Sequence, residues 1–369
     1  MSSDERNLAV RRRFSPRRLT LAREFKGWTK AELASRAEVS GAAIGQFERD
    51  VTPSSRTIGK LAEALDVPVE FFTVGTDSDA DQPAYFRSLR STTVTQRRRA
   101  RAFAQYVHQL VTALEARVLL PDHTIKPHPI APDSTDWEEI ERAASATRSA
   151  WGVHPTEPIP HVVRLLERHG IVVVRSYDVA PKVDAFSVPF PDRSLIVLSA
   201  EKMKHDRSRF DASHEVGHLV MHRDLPEEAR GTKHVESQAH RFAGAFLMPA
   251  DGIIDELPTS HRDVRSLLDL KAKWGASIGA LLRRARDLGR MTADGYVSAM
   301  KALSARGWRT DEPSVGLAPE EPLLLRRAIE VANQGGLSIA DLAEMSSLPE
   351  AFVQDVLAHS TDPRPRLAL

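Results

Sequence analysis

The first seventy-odd residues set short apolar clusters between polar breaks, a rhythm that predicts small packed helices. Residues 17–25 (RRLTLAREF) put Leu19, Ala22 and Phe25 on one side and stop at Gly27, a residue suited to ending a helix. Thr29 with Glu32 three positions on makes a capping box ahead of Leu33 and Ala34, and Ser40 caps a third helix that points Ile44 and Phe47 inward. Two more short helices are expected around 58–65 and 69–72, completing a five-helix bundle over 14–75. Such a bundle suits a helix-turn-helix, whose second helix must project from a compact support. The polar stretch 77–83 (DSDADQP) reads as a linker. Beyond it Phe103, Val107, Leu110, Val111 and Leu114 recur at helical spacing. Residues 121–132, with four prolines, should be extended and mark a boundary.

Downstream the period changes. After amphipathic helices at 136–152 and 161–170, strand-like runs appear at 171–175, 183–188 and 195–199, the last two joined by a Pro191-Asp192 hairpin. A helix follows with Phe210, Val216, Leu219 and Val220 inward, then another with Ala239, Phe242, Ala243, Phe246 and Leu247, closed by Pro249. Leu267, Leu268, Leu270, Trp274 and the run 281–288 predict further helices. From Glu321 a helix, a Gly335-Gly336 break and a Ser338-capped pair complete the chain, with acidic Glu344, Glu350 and Asp355 favouring protein over DNA contact. The expected class is mainly α with a small antiparallel β-sheet (α+β). Its organisation is a DNA-binding-type bundle at 14–75, linker and long helix at 76–135, a catalytic-type region at 136–300 and a helical module at 316–369.

Composition narrows the setting. With 41% apolar and 27% charged residues the chain reads as globular, and no run approaches 18 uninterrupted apolar residues. The expectation is a cytoplasmic protein with no membrane attachment. The absence of cysteine leaves His and carboxylates as the donors for a hydrolytic metal. The net charge of +1 hides an uneven spread, since Arg6, Arg11, Arg12, Arg13, Arg17, Arg18 and Arg23 crowd the N-terminus and point to an anionic partner. A second cluster, Arg97, Arg98, Arg99 and Arg101, opens the long helix and calls for an acidic neighbour there.

The sharpest chemical signal is His214-Glu215-Val216-Gly217-His218. On a helix, His214 and His218 lie one turn apart on one face and can share a cation, with Glu215 beside it as general base. A catalytic zinc takes three protein ligands and keeps one position open. Glu236 begins the next apolar helix, and antiparallel packing would bring it to the metal; His240, His234 and Asp224 are the other candidates. His222, one further turn along, is expected to be an exposed helix-end residue.

Two resemblances then attach to these residues. WTKAELASRAEVSGAAIGQFERDVTPSSRTIGKLAEAL resembles the phage-repressor-like (XRE) DNA-binding family. That resemblance implies a recognition helix over 40–49, with Lys30, Ser40 and Arg49 facing phosphates and Gln46 reading a base. Gly41 and Ala42 stand at the helix's exposed start, and Arg23 and Glu48 form a buried ion pair. The HExxH helix, followed by Glu236, Ala239, Phe242, Ala243 and Leu247-Met248-Pro249, resembles the ImmA/IrrE metallopeptidases, as do the strands VDAFSV and SLIVLS. This implies a zincin-like domain holding one catalytic Zn2+ or another divalent ion. His214, His218 and Glu236 would be its ligands, Glu215 the general base, and His240 a partner to a histidine ligand.

The expected function is a DNA-binding transcriptional regulator with a zinc endopeptidase domain. Its partners would be an operator duplex, a protein substrate of the helix-turn-helix repressor or antitoxin type (or the chain itself) and, as a homodimer, a second copy. Two alternatives stand beside it. One is a repressor whose peptidase-like domain serves as sensor or scaffold without cutting; the other is a peptidase whose bundle docks protein.

Overall fold

A computed structural model of the chain describes residues 3–73, 85–86, 93–176, 184–201, 204–226, 228–260 and 262–358. The expected linker at 77–83 and Val183 lie outside the described residues. A helix not foreseen from the pattern, α1 (Ser3–Arg12), precedes the bundle of α2 (Pro16–Lys26), α3 (Lys30–Arg36), α4 (Gly41–Phe47) and α5 (Ser55–Leu65). The fifth expected helix is a 3-10 turn, Val69–Thr73. α1 is mostly polar and packs on α5 and that turn, burying Asn7 and Val10. Thr29 and Ser40 cap α3 and α4 as their sequences require.

Strand β1 (Tyr85–Phe86) leads to the long helix α6 (Val94–Glu115), followed by α7 (Trp137–Ala150), α8 (Val162–Arg168), β2 (Ile171–Ser176), β3 (Ala185–Pro189) and β4 (Ser194–Ser199). Next come α9 (His205–Met221), α10 (Lys233–Leu247), α11 (Ala250–Ile253), α12 (Val264–Trp274), α13 (Ile278–Asp287) and α14 (Ala293–Ala305). α15 (Leu324–Gln334), α16 (Ile339–Ser346) and α17 (Glu350–Ala358) end the described chain. No helix among the described residues is long and apolar enough to cross a membrane.

The sheet corrects one expectation. Its order is β1-β3-β4-β2, and while β3 pairs antiparallel with β4, β2 runs parallel to β4, with Val173 opposite Ile196. The sheet is therefore mixed, not antiparallel. The tight turn forces β4 to reverse against β3, but β4 then lies between β3 and β2, and two reversals leave it parallel to β2.

Strand alternation assigns the two faces of this sheet to different interiors. Val172, Val174, Phe186, Val188, Leu195 and Val197 join one apolar core with α6, the N-terminal bundle and α15 to α17. Ile171, Val173, Ala185, Ile196 and Leu198 join the other, with α7 to α10 and α12 to α14. α6 is the spine of the first. Tyr106 stacks on Phe25 of α2 at 4.2 Å between ring centroids and meets Phe352 of α17 edge-on at 5.3 Å. Arg18 of α2 donates to Gln109, which in turn donates to the Ser346 carbonyl of α16. The basic cluster opening α6 finds the acidic neighbour it calls for: Arg98 lies 3.5 Å from Glu24, and Arg99 donates to the Phe25 carbonyl.

The proline-bearing segment 121–132 has no regular structure and lies along the end of α9. Its His128 and Ile130 amides donate to the Val220 and Met221 carbonyls, which the helix itself leaves without partners. Glu320 fastens the approach to α15. Its carboxylate accepts from Arg209 of α9 and from the Val163 amide at the start of α8, with His161 at 3.1 Å. Burial alone would raise this carboxyl, but the His161 hydrogen bond and the Arg209 guanidinium outweigh it and hold it down at about 2. A depressed carboxyl stabilises the fold above its unfolded value near 4.5 and loses that contribution as pH falls toward 2. Glu320→Gln should therefore remove on the order of 3 kcal/mol at neutral pH and flatten the acid limb between those values. Urea melts from pH 7 to 2 check this, and an unchanged acid limb would refute it.

Candidate metal centre and DNA-reading surface

α9 carries His214, Glu215 and His218 on its most enclosed stretch, each with no exposed surface. α10 packs antiparallel beside it, and Gly217 lets it come close: a Cβ there would stand 3.1 Å from the Phe242 ring. That approach brings Glu236, in the first turn of α10, to the two histidines. The His214 and His218 Nε2 atoms lie 3.1 Å apart, and Glu236 places Oε2 at 3.3 Å from the first and Oε1 at 3.5 Å from the second. Among the described residues these three form the group of donors close enough to share an ion.

The spacing suits a small divalent cation. Ligands about 2.0–2.1 Å from a tetrahedral zinc stand roughly 3.4 Å from one another. At 3.1 Å the two Nε2 atoms can both present lone pairs only with a positive charge or a proton between them. The set is nitrogen and carboxylate without sulfur, as the cysteine-free sequence requires. Of the other candidates, His234 engages the Ser134 carbonyl at 2.6 Å, and Asp224 lies outside the group.

Several neighbours of the centre were not visible in the sequence. Glu215 receives a hydrogen bond from the Ser187 hydroxyl of β3 at 2.7 Å, so the sheet fixes one of its carboxylate oxygens. β1 pairs with β3 with Tyr85 opposite Ser187, which sets this short strand beside the same position. His222 is fully buried, contrary to the exposed helix-end residue expected: its Nδ1 lies 3.0 Å from His218 Nδ1 and its Nε2 2.9 Å from Gln238 Oε1. Segment 121–132 and α10 cover that end of α9, which periodicity alone does not reveal. Burial, reinforced by the neighbouring His218, pushes the His222 imidazole down to about 3 and keeps it neutral.

His240 packs its ring 4.7 Å from that of His214, centroid to centroid, and 5.5 Å from Phe210. It also lines a cavity of about 590 Å³ with Phe210, Tyr296, Trp308 and Arg283. The cavity touches the centre through His240 and does not contain the three donors. Glu236, with 18% of its side chain exposed, is the donor nearest solvent.

On the bundle, Arg23 and Glu48 meet as a nearly buried pair, with Arg23 Nε 2.5 Å and Nη2 3.2 Å from the two carboxylate oxygens. Lys30, Ser40, Gly41, Ala42, Gln46 and Arg49 are all exposed on or beside α4. Lys30 also lies 3.1 Å from Glu48, and the Ser40 hydroxyl accepts from the Ala43 amide. A Cβ added at Gly41 or Gly45 would meet nothing within 4 Å, so packing within the bundle does not demand either glycine.

Residues 166–286 match the family described as IrrE N-terminal-like domain. Residues 19–72 match the family described as Helix-turn-helix. The two matches fall in the order that the sequence predicts. No curated protein was found to match the chain.

Proposed function

We propose that the chain, which joins an XRE-type helix-turn-helix domain to an IrrE/ImmA-like peptidase domain, is a transcriptional regulator that hydrolyses protein at the DNA it occupies. Its substrate would be a repressor or antitoxin of the helix-turn-helix class, or a second copy of itself. The observation that carries this reading is the convergence of His214, His218 and Glu236 beside Glu215. The three donors would hold the ion, which when bound supplies Lewis acidity toward the scissile carbonyl and acidifies water. Glu215 takes the proton of the attacking water and returns it to the leaving amine. Ser187, by binding one Glu215 oxygen, keeps the carboxylate from rotating away. His240 and the adjoining cavity would receive side chains of the substrate next to the cut.

For the DNA-binding half, α4 would enter the major groove, with Gln46 reading a base edge and Lys30, Ser40 and Arg49 on phosphates. Helical glycine costs about 0.5–1 kcal/mol relative to alanine. Gly41 and Gly45 are therefore better explained by close approach of a partner than by packing. Gln46→Ala should cost about 1–3 kcal/mol and relax the preference at one base pair. Arg49→Ala should weaken all sequences alike and lower the salt slope by about 1. Gel shifts across a salt series on a selected operator distinguish these outcomes from a docking bundle, which would bind no DNA.

A non-cutting regulator is the second reading. It is favoured by the enclosure of His214, Glu215 and His218 and by β1 lying alongside the Ser187 position. The decisive test is incubation of the zinc-loaded and chelated protein with itself and with helix-turn-helix repressors encoded nearby, followed by intact mass. Fragments formed only in the zinc-loaded sample support hydrolysis. Specific operator binding without fragments from any substrate would instead support the scaffold reading.

A further inference from the structure

We propose that His222 and Gln238 are positioning residues that fix the tautomer of His218, so that its Nε2 lone pair always faces the metal position. The inference rests on the metal-centre reading above.

The argument begins at the backbone. The Gln238 amide nitrogen lies 2.9 Å from the Ala131 carbonyl and 3.0 Å from the Ser134 carbonyl, and both of those oxygens can only accept. The side-chain amide cannot flip without setting two acceptors against a third, so Gln238 Oε1 faces His222 as an acceptor. His222 Nε2, 2.9 Å from that oxygen, must then carry a hydrogen. A neutral imidazole protonated at Nε2 keeps its lone pair at Nδ1. His218 Nδ1, 3.0 Å from that lone pair, must be the donor, and its own lone pair is left at Nε2. That atom is the one at 3.1 Å from His214 Nε2 and 3.5 Å from Glu236 Oε1. Each hydrogen in the chain is assigned by the one before it, starting from the Ala131 and Ser134 carbonyls. His218, His222 and Gln238 are all fully buried, which keeps water from substituting for any link.

In the other tautomer of His218 an N–H would point into the centre and would have to move before a cation could bind. Removing the relay should therefore weaken the metal site without touching a ligand. Lost support of this kind costs about 10- to 100-fold in metal affinity. His222→Leu has no acceptor for His218 Nδ1. His222→Asn keeps an acceptor, its carbonyl oxygen, about where His222 Nδ1 faces His218 Nδ1.

The test uses the full-length protein, with zinc titrated in competition with a chromophoric chelator. Thermal melting of the metal-free proteins and operator binding report folding. A 10- to 100-fold rise in Kd for His222→Leu, with His222→Asn within a few-fold of wild type, supports the proposal. Unchanged zinc affinity in a folded His222→Leu overturns it, as does an Asn variant as weak as Leu. Should neither variant fold, the imidazole 15N–1H correlations of the metal-free wild type decide it. Protons on His218 Nδ1 and His222 Nε2 support the relay, and the opposite pattern overturns it. Failure of the wild type to take up zinc would instead sink the metal-centre reading, and this inference with it, before any variant is compared.

Discussion

Glu215→Gln should fold, take up zinc as the wild type does, and cleave its substrate about 10²- to 10⁴-fold more slowly. The size follows from the role assigned to this residue, since a positioned general base contributes that range in rate. The unchanged fold follows from its surroundings. Glutamine matches the volume of a fully buried side chain, and its carbonyl can still accept the Ser187 hydrogen bond made at 2.7 Å. Metal uptake should be untouched because the three converging donors belong to His214, His218 and Glu236. Quantitative cleavage assays beside metal analysis of the same samples check it. Equal cleavage by the two proteins would exclude Glu215 as the base, and cleavage by neither would favour the scaffold reading.

The second large effect concerns stability. Glu48→Ala should destabilise the N-terminal bundle by about 3–5 kcal/mol, the usual cost of stranding one member of a buried ion pair. Arg23, 7% exposed, would keep its hydrogen bond to the Trp28 carbonyl at 2.8 Å and the Glu24 carboxylate at 4.0 Å but lose both of its closer contacts, those to Glu48. Glu48 is also the residue that closes α4, so the pair ties the end of that helix to α2. Operator binding should fall along with stability, and Glu48→Gln, which keeps an acceptor for Arg23, should lie between the two. Urea unfolding followed by circular dichroism measures the loss. A change below 1 kcal/mol would mean that Arg23 relaxes to solvent without cost.

How far the sequence reveals these features depends on whether each is written locally or across distant segments. The helical step of the donors made His214 and His218 legible, and the apolar stripe beginning at Glu236 pointed to the third member. The caps at Thr29, Ser40 and Ser338 are local chemistry and read directly. Strand alternation revealed which residues share a face, but not that β4 lies between β3 and β2. Helix α1 leaves no periodic signal because a polar helix needs only one buried valine and one asparagine to dock. The burial of His222 is hidden from local pattern for a related reason. Its partner Gln238 is sixteen positions away on another helix, and the carbonyls behind it, of Ala131 and Ser134, lie in and just after a proline-bearing segment with no periodicity. The Ser187 contact with Glu215 likewise joins a strand to a helix that no local pattern connects.

The sheet that separates the two apolar cores makes the chain less modular than its two family matches imply. Excising the N-terminal bundle would not release a finished IrrE-like domain. It would uncover the α6 flank formed by Phe103, Tyr106 and Leu110, which shares one interior with Val172, Phe186 and Leu195 on one face of the sheet. An exposed apolar face of that kind favours self-association. The helix-turn-helix bundle and the sheet behind Glu215 thus share an interior, and a gene that recombined one half without the other would inherit a solubility problem first.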